Sequence, residues 1–112
     1  MNLLQHVEGN TLVVRVLAPR LDATSAPLLR RRIEELIRDG RNRLVLDISN
    51  VESIDSNGLR TLVFALKRLG SHQDLAISGA QGGVMNMLKL TRLYQLFNIF
   101  PNSEQAIAAL RS

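Results

Sequence analysis

The segment Asp55-Ser56-Asn57-Gly58 carries the chain's most versatile chemistry, because a hydroxyl beside a carboxylate can serve as a nucleophile, a helix cap or an acceptor of modification. Nucleophilic catalysis needs a base. The two histidines, His6 and His72, fall on a terminal segment and beside a turn, without ligand-spaced neighbours, so neither a Ser-His-Asp triad nor a metal site is expected. Ser56 also lacks the Gly-x-Ser-x-Gly elbow of hydrolases. The chain contains no cysteine, which removes thiol nucleophiles, cysteine metal sites and disulfide frameworks together and fits a reducing compartment. Gly79-Ala80-Gln81-Gly82-Gly83-Val84 is glycine-rich but matches neither the P-loop nor the dinucleotide fingerprint, so it reads as a plain loop.

The elements that would position Ser56 follow from periodicity. Leu3 to Val7 and the β-branched run 11 to 17 read as two strands joined by the turn pair Gly9-Asn10. Thr24 or Ser25 precedes Pro27, a proper first-turn proline, and Leu28, Leu29, Ile33, Leu36 and Ile37 recur at helical spacing until Gly40. That helix spans about 25 to 39, and its other face, with Arg30, Arg31, Glu34, Glu35 and Arg38, reads as solvated. Arg43 to Ser49 is of strand length, a six-residue loop follows, and a second helix begins at Ser56-Asn57-Gly58. Its stripe is Leu59, Leu62, Val63, Leu66 and Leu69, with Arg60, Thr61, Lys67 and Arg68 elsewhere on the wheel and Gly70 as its stop. Asp74 to Ser78 reads as a strand, Val84 to Leu90 as a short helix with Met85 and Met87 in the core, and Leu96 to Phe100 as a last strand. A closing helix near 103 to 111 is capped by Asn102 or Ser103. Strands alternating with helices predict an α/β fold with parallel neighbours, and the opening hairpin makes the sheet mixed, with about four to five strands.

A length of 112 residues predicts one domain, with no linker or internal repeat dividing it. With 46% hydrophobic and 21% charged residues the chain is neither disordered nor fibrous. No stretch approaches the roughly 20 apolar residues of a membrane span, and the first residues lack the basic head and apolar run of an export signal, so a cytoplasmic protein is expected. The net charge is +4, and 12 of the 14 basic residues are arginine. These are spread along the chain, with one Tyr and no Trp, so the footprint of a nucleic-acid reader is weak and no direct nucleic-acid partner is expected.

Between the third strand and the second helix the chain reads Asp47-Ile48-Ser49-Asn50-Val51-Glu52-Ser53-Ile54-Asp55-Ser56-Asn57-Gly58-Leu59. This resembles the STAS domain of anti-sigma factor antagonists, whose signature runs strand, Asp-x-Ser-x-x-x-x-Asp-Ser-Ser-Gly-Leu, helix. Asn57 replaces the usual second small residue. Leu21-Asp22-Ala23-Thr24 looks like the family's Leu-Asp element before the first helix, with Pro19 where many relatives have Gly. Ala76-Ile77-Ser78 looks like its fourth-strand end, and Leu93 to Ala106 like its closing strand and helix.

The resemblance implies a single STAS domain over 1–112 that is a switch rather than an enzyme, with no cofactor. In the family, the serine at the position of Ser56 is phosphorylated by a partner anti-sigma serine kinase of the GHKL ATPase type. The unmodified antagonist binds that kinase and frees its sigma factor, and a PP2C-type phosphatase resets the modified form. Asp22, Thr24, Asp55, Ser56, Asn57, Gly58 and Arg60 would form the contact surface, on a monomer or weak dimer. A hydroxyl at a helix N-terminus sits beside unpaired N–H groups that tolerate an anion, so the added charge of about −1.5 to −2 would repel a partner without melting the fold. Three alternatives stay open. Ser and Asp before a helix are equally the residues of a plain cap. Asn57 and the arginine-rich surface suit a constitutive STAS adaptor of a lipid-transport ABC complex. Charge alone would suit nucleic acid.

Overall fold

The β-branched run Thr11–Val16 forms β2, and Gly9, with a φ of 62°, turns the chain into it from β1, Leu3–Glu8. The computed structural model that shows this describes residues 2–69 and 74–111; the expected helix stop Gly70 and the expected surface residue His72 lie outside them. The two strands pair antiparallel, from Leu3 opposite Val16 to Glu8 opposite Thr11. After β2 the chain makes a two-residue strand, β3 (Arg20–Leu21), and the first helix, α1 (Ala26–Arg38). Next come β4 (Leu44–Asp47), a second two-residue strand, β5 (Ser53–Ile54), and α2 (Ser56–Leu69). The chain closes with β6 (Leu75–Ser78), α3 (Gly82–Leu90), a 3-10 turn at Leu93–Gln95, β7 (Asn98–Phe100) and α4 (Ser103–Arg111).

The expected mixed sheet is present with five strands in the order β1-β2-β4-β6-β7, all parallel beyond the opening hairpin. Two-residue periodicity divides its faces. Leu12, Val14, Leu44, Leu46, Leu75 and Ile77 face α1, α2 and α3 in the main core. Val13, Val45 and Ala76 stand in register across β2, β4 and β6 and pack beneath Ala106 and Leu110 of α4. Helices thus cover both faces, as parallel strands require.

Several expectations change in detail. The stretch between β4 and α2 is not all loop: β5 pairs parallel with β3, Leu21 opposite Ile54, because the Pro19 carbonyl accepts the Glu52 and Ser53 amides at 2.7 and 3.2 Å. The proline's missing N–H costs nothing there, since only its carbonyl is used. Thr61 was expected off the apolar stripe, yet it is buried, because its hydroxyl is satisfied by the carbonyls of Asn57 at 3.2 Å and Ala26 at 3.4 Å. Leu28 lies on the exposed side of α1, where Ala26, Leu29, Ile33 and Leu36 make the buried face. Met85 and Met87 are half-buried rather than fully enclosed. Asn102 caps α4, its Oδ1 accepting the Gln105 amide at 2.9 Å. The glycine-rich loop packs tightly: Gly79 has a φ of 79°, and a Cβ there would stand 2.6 Å from that of Ser49.

The parallel strands β4 and β6 end together at Asp47 and Ser78, and the segment leading to α2 starts from that edge. In open α/β sheets this carboxyl edge is where ligands and partners are met.

Candidate functional site

The short β3–β5 pair sets the geometry of the site. Two parallel strands that end side by side deliver their next residues side by side, so Asp22 follows Leu21 as Asp55 follows Ile54. The Asp55 amide donates to the Leu21 carbonyl at 3.2 Å and ties the two loops together. Each aspartate then organises its own turn. Asp22 Oδ1 accepts the Thr24 amide at 3.0 Å and the Ser25 amide at 3.2 Å, and the Ser25 hydroxyl donates to the Arg20 carbonyl at 2.7 Å. The Ser25 and Thr24 N–H groups hold the Asp22 carboxyl below its ordinary range. Desolvation opposes them, while the Ser25 hydroxyl and the charge of Arg20 assist.

Asp55 is the cap of α2. Its Oδ1 accepts the Asn57 amide at 2.8 Å and the Gly58 amide at 3.2 Å, and its carbonyl accepts the Leu59 amide at 3.0 Å. Ser56 is therefore the first helical residue and not the cap, and it is exposed. Asn57 is half-buried with its side-chain amide 3.4 Å from Asp55 Oδ2, so this departure from the signature is built into the cap. Gly58 is buried. A Cβ at that position would stand 2.5 Å from both the Leu21 carbonyl oxygen and Ile54 Cγ1, so only glycine lets α2 start this close to the short strands.

Asp47 and Ser49 act beneath the site. Asp47, nearly buried, accepts the Ser49 amide at 2.9 Å on Oδ1 and Arg15 Nε at 3.1 Å on Oδ2. They shape the turn that leaves β4.

Seven residues were expected to share a surface, and the fold brings Asp22, Thr24, Asp55, Ser56 and Asn57 to one edge, with Gly58 buried behind them and Arg60 one turn along α2. Beside them lies a groove with a cavity volume of about 490 Å³. Leu59, Val63, Phe64 and Leu93 supply its apolar lining; Ser56, Arg30, Arg60 and Lys67 complete it. The Arg30 guanidinium lies 4.1 Å from the Phe64 ring centroid and Arg68 5.6 Å, so two cations lean on one aromatic face system. Sequence reasoning placed Arg30 on a solvated face and did not single out Phe64. The one available signal was an aromatic residue lying off the α2 stripe. Among the described residues no group of three or more His, Cys, Asp or Glu is placed to hold a metal ion, and no helix is long and apolar enough to cross a membrane.

The family model for the STAS domain matches residues 3–106. This chain belongs to the STAS domain family. The anti-sigma-F factor antagonist RsfB of Mycobacterium tuberculosis is 24% identical to this STAS domain over 104 residues, covering 93% of this chain and 85% of RsfB. A crystal structure of an anti-sigma factor antagonist from Mycobacterium paratuberculosis superposes with a TM-score of 0.89 at 27% identity, covering 99% of this chain and 94% of the other. The antagonist SpoIIAA in its unphosphorylated form shares the fold, with a TM-score of 0.72 at 17% identity over 99% of both chains.

Proposed function

We propose that this STAS domain is an anti-sigma factor antagonist switched by phosphorylation of Ser56. The observation that carries the reading is the division of labour at the start of α2. Asp55 makes the capping hydrogen bonds, so Ser56 is left exposed at the mouth of an apolar groove with cations around it. A hydroxyl required only as a cap would accept those amides itself, and this one does not. The matched family and the names of its relatives supply the class of partner.

In this reading the unmodified domain binds an anti-sigma serine kinase of the GHKL ATPase class through Asp22, Thr24, Asp55, Ser56, Asn57 and Arg60. Gly58 sets how closely α2 approaches. Transfer of a phosphoryl group adds about −1.5 to −2 charge between two aspartates, and a partner surface fitted to a neutral hydroxyl is repelled. A PP2C-type phosphatase restores the binding form. The domain is no enzyme itself, needs no cofactor, acts in the cytoplasm and has no direct nucleic-acid partner.

Intact mass and peptide mapping of the protein from its native host, with and without phosphatase, test this directly. A phosphatase-sensitive phosphate on Ser56 is expected, together with retention of the kinase by Ser56→Ala and about tenfold or weaker binding by Ser56→Asp, a difference of roughly 1.4 kcal/mol. Equal kinase affinity for the two variants would sink the proposal. Co-purification with an ABC ATPase, indifferent to both substitutions, would put the adaptor in its place.

A further inference from the structure

The cations around Ser56 are unequally committed. Arg30 has a carboxylate partner, Glu34, at 3.6 Å, and lies over the Phe64 ring. Among the described residues Arg60 and Lys67 form no ion pair, and both border the groove that Ser56 also lines. Their reach differs. Arg60 stands four residues after Ser56, about 6 Å along the helix axis and on the same face, whereas Lys67 stands eleven residues on, about 16 Å away.

We propose that phosphorylated Ser56 pairs internally with Arg60 on the next turn of α2. The inference rests on the reading of Ser56 as a phosphorylation site and adds what the phosphate does once it is there. An anion N-terminal to a cation at this spacing is the favourable order on a helix, and a guanidinium can meet two phosphate oxygens at once. Phosphorylation then changes the docking edge twice, because it adds an anion and withdraws the groove's free arginine from an acidic partner.

The test needs no kinase. Phosphoserine is installed at position 56 during translation, and the second phosphate pKa is followed by phosphorus NMR. Asp55 and, from the neighbouring loop, Asp22 raise that pKa, while the helix N-terminus, Arg30 from α1 and the more distant Lys67 lower it. All of these are common to the wild type and to the Arg60 variants. The folded wild type should therefore titrate about 0.15–0.4 unit below Arg60→Gln, and Arg60→Lys should retain part of the lowering. Arg41→Gln, an exposed cation at the opposite edge of the sheet, should leave the value unchanged. The Arg60 Nε–H resonance should shift only in the phosphorylated protein. If Arg60→Gln titrates within about 0.1 unit of the wild type, or Arg41→Gln shifts the value as much as it does, the pairing is refuted. Either result leaves the phosphorylation of Ser56 itself to be judged from the mass of the native protein, so the two ideas fail separately.

Discussion

At the scale of single residues, the two aspartates of the proposed docking edge do related work with different consequences. Asp55 caps a helix and Asp22 holds a turn, and each accepts two amides on one oxygen. The Ser25 and Thr24 N–H groups favour the charged form of Asp22. Its folded pKa lies below its unfolded one. The stabilisation is accordingly complete above the unfolded value and is lost as pH falls through the folded one. Thermal melts of the wild type and Asp22→Asn should differ most at neutral pH, with the variant melting lower, and should converge in acid. A gap that persists unchanged at low pH would mean that the side chain's shape, and not its charge, holds the turn. Ser56 shows the complementary case, since a residue freed from capping keeps its hydroxyl exposed.

At the scale of elements, the device that makes the site is the two-residue pair β3–β5, and its tolerance is set by Gly58. A methyl group there meets the Leu21 carbonyl and Ile54 at 2.5 Å, so the N-terminus of α2 must retreat from the pair. Gly58→Ala should destabilise the domain by about 1–3 kcal/mol in urea unfolding, less whatever the helix gains from alanine. The Asp55 amide, bonded to the Leu21 carbonyl, should lose hydrogen-exchange protection more than amides of β4. Unchanged protection at Asp55 would show that α2 accommodates the methyl group by tilting elsewhere. This pair also marks where the sequence stops being readable. Helices α1 and α2 and the strands of the main sheet declare themselves by periodicity, and the Asp55-Ser56 segment by its position before a helix. Two-residue strands have no period, and β3–β5 exists because the Pro19 carbonyl reaches amides more than thirty residues away. Thr61 is hidden in part for the same reason, since its buried hydroxyl meets a carbonyl of α1 as well as one of its own helix. The groove was equally out of view, because its lining joins Arg30 of α1, Phe64 of α2 and Leu93, which only the fold brings together.

At the scale of the whole molecule, the sheet separates two tasks. Its α1/α2/α3 face supports the proposed docking edge and the groove, and its other face is covered by α4 through Ala106 and Leu110 on Val13, Val45 and Ala76. Five parallel or antiparallel strands locked in register make that sheet a stiff partition, so a cavity on one face should not reach the edge of the other. Leu110 is 3% exposed and belongs to the cluster of Val13, Val45, Ala76 and Ala106, so Leu110→Ala removes packing from that face. The expected loss is about 2–4 kcal/mol of global stability, since truncating a buried leucine leaves a cavity that relaxes only in part. Under conditions where the variant stays folded, the amide resonances of residues 55 to 60 should match those of the wild type, because none of their hydrogen bonds passes through α4. Binding of the proposed kinase partner per folded molecule should be retained as well. If instead those resonances move, the sheet transmits strain between its faces. In that case α4 would be a second place from which the docking edge can be controlled.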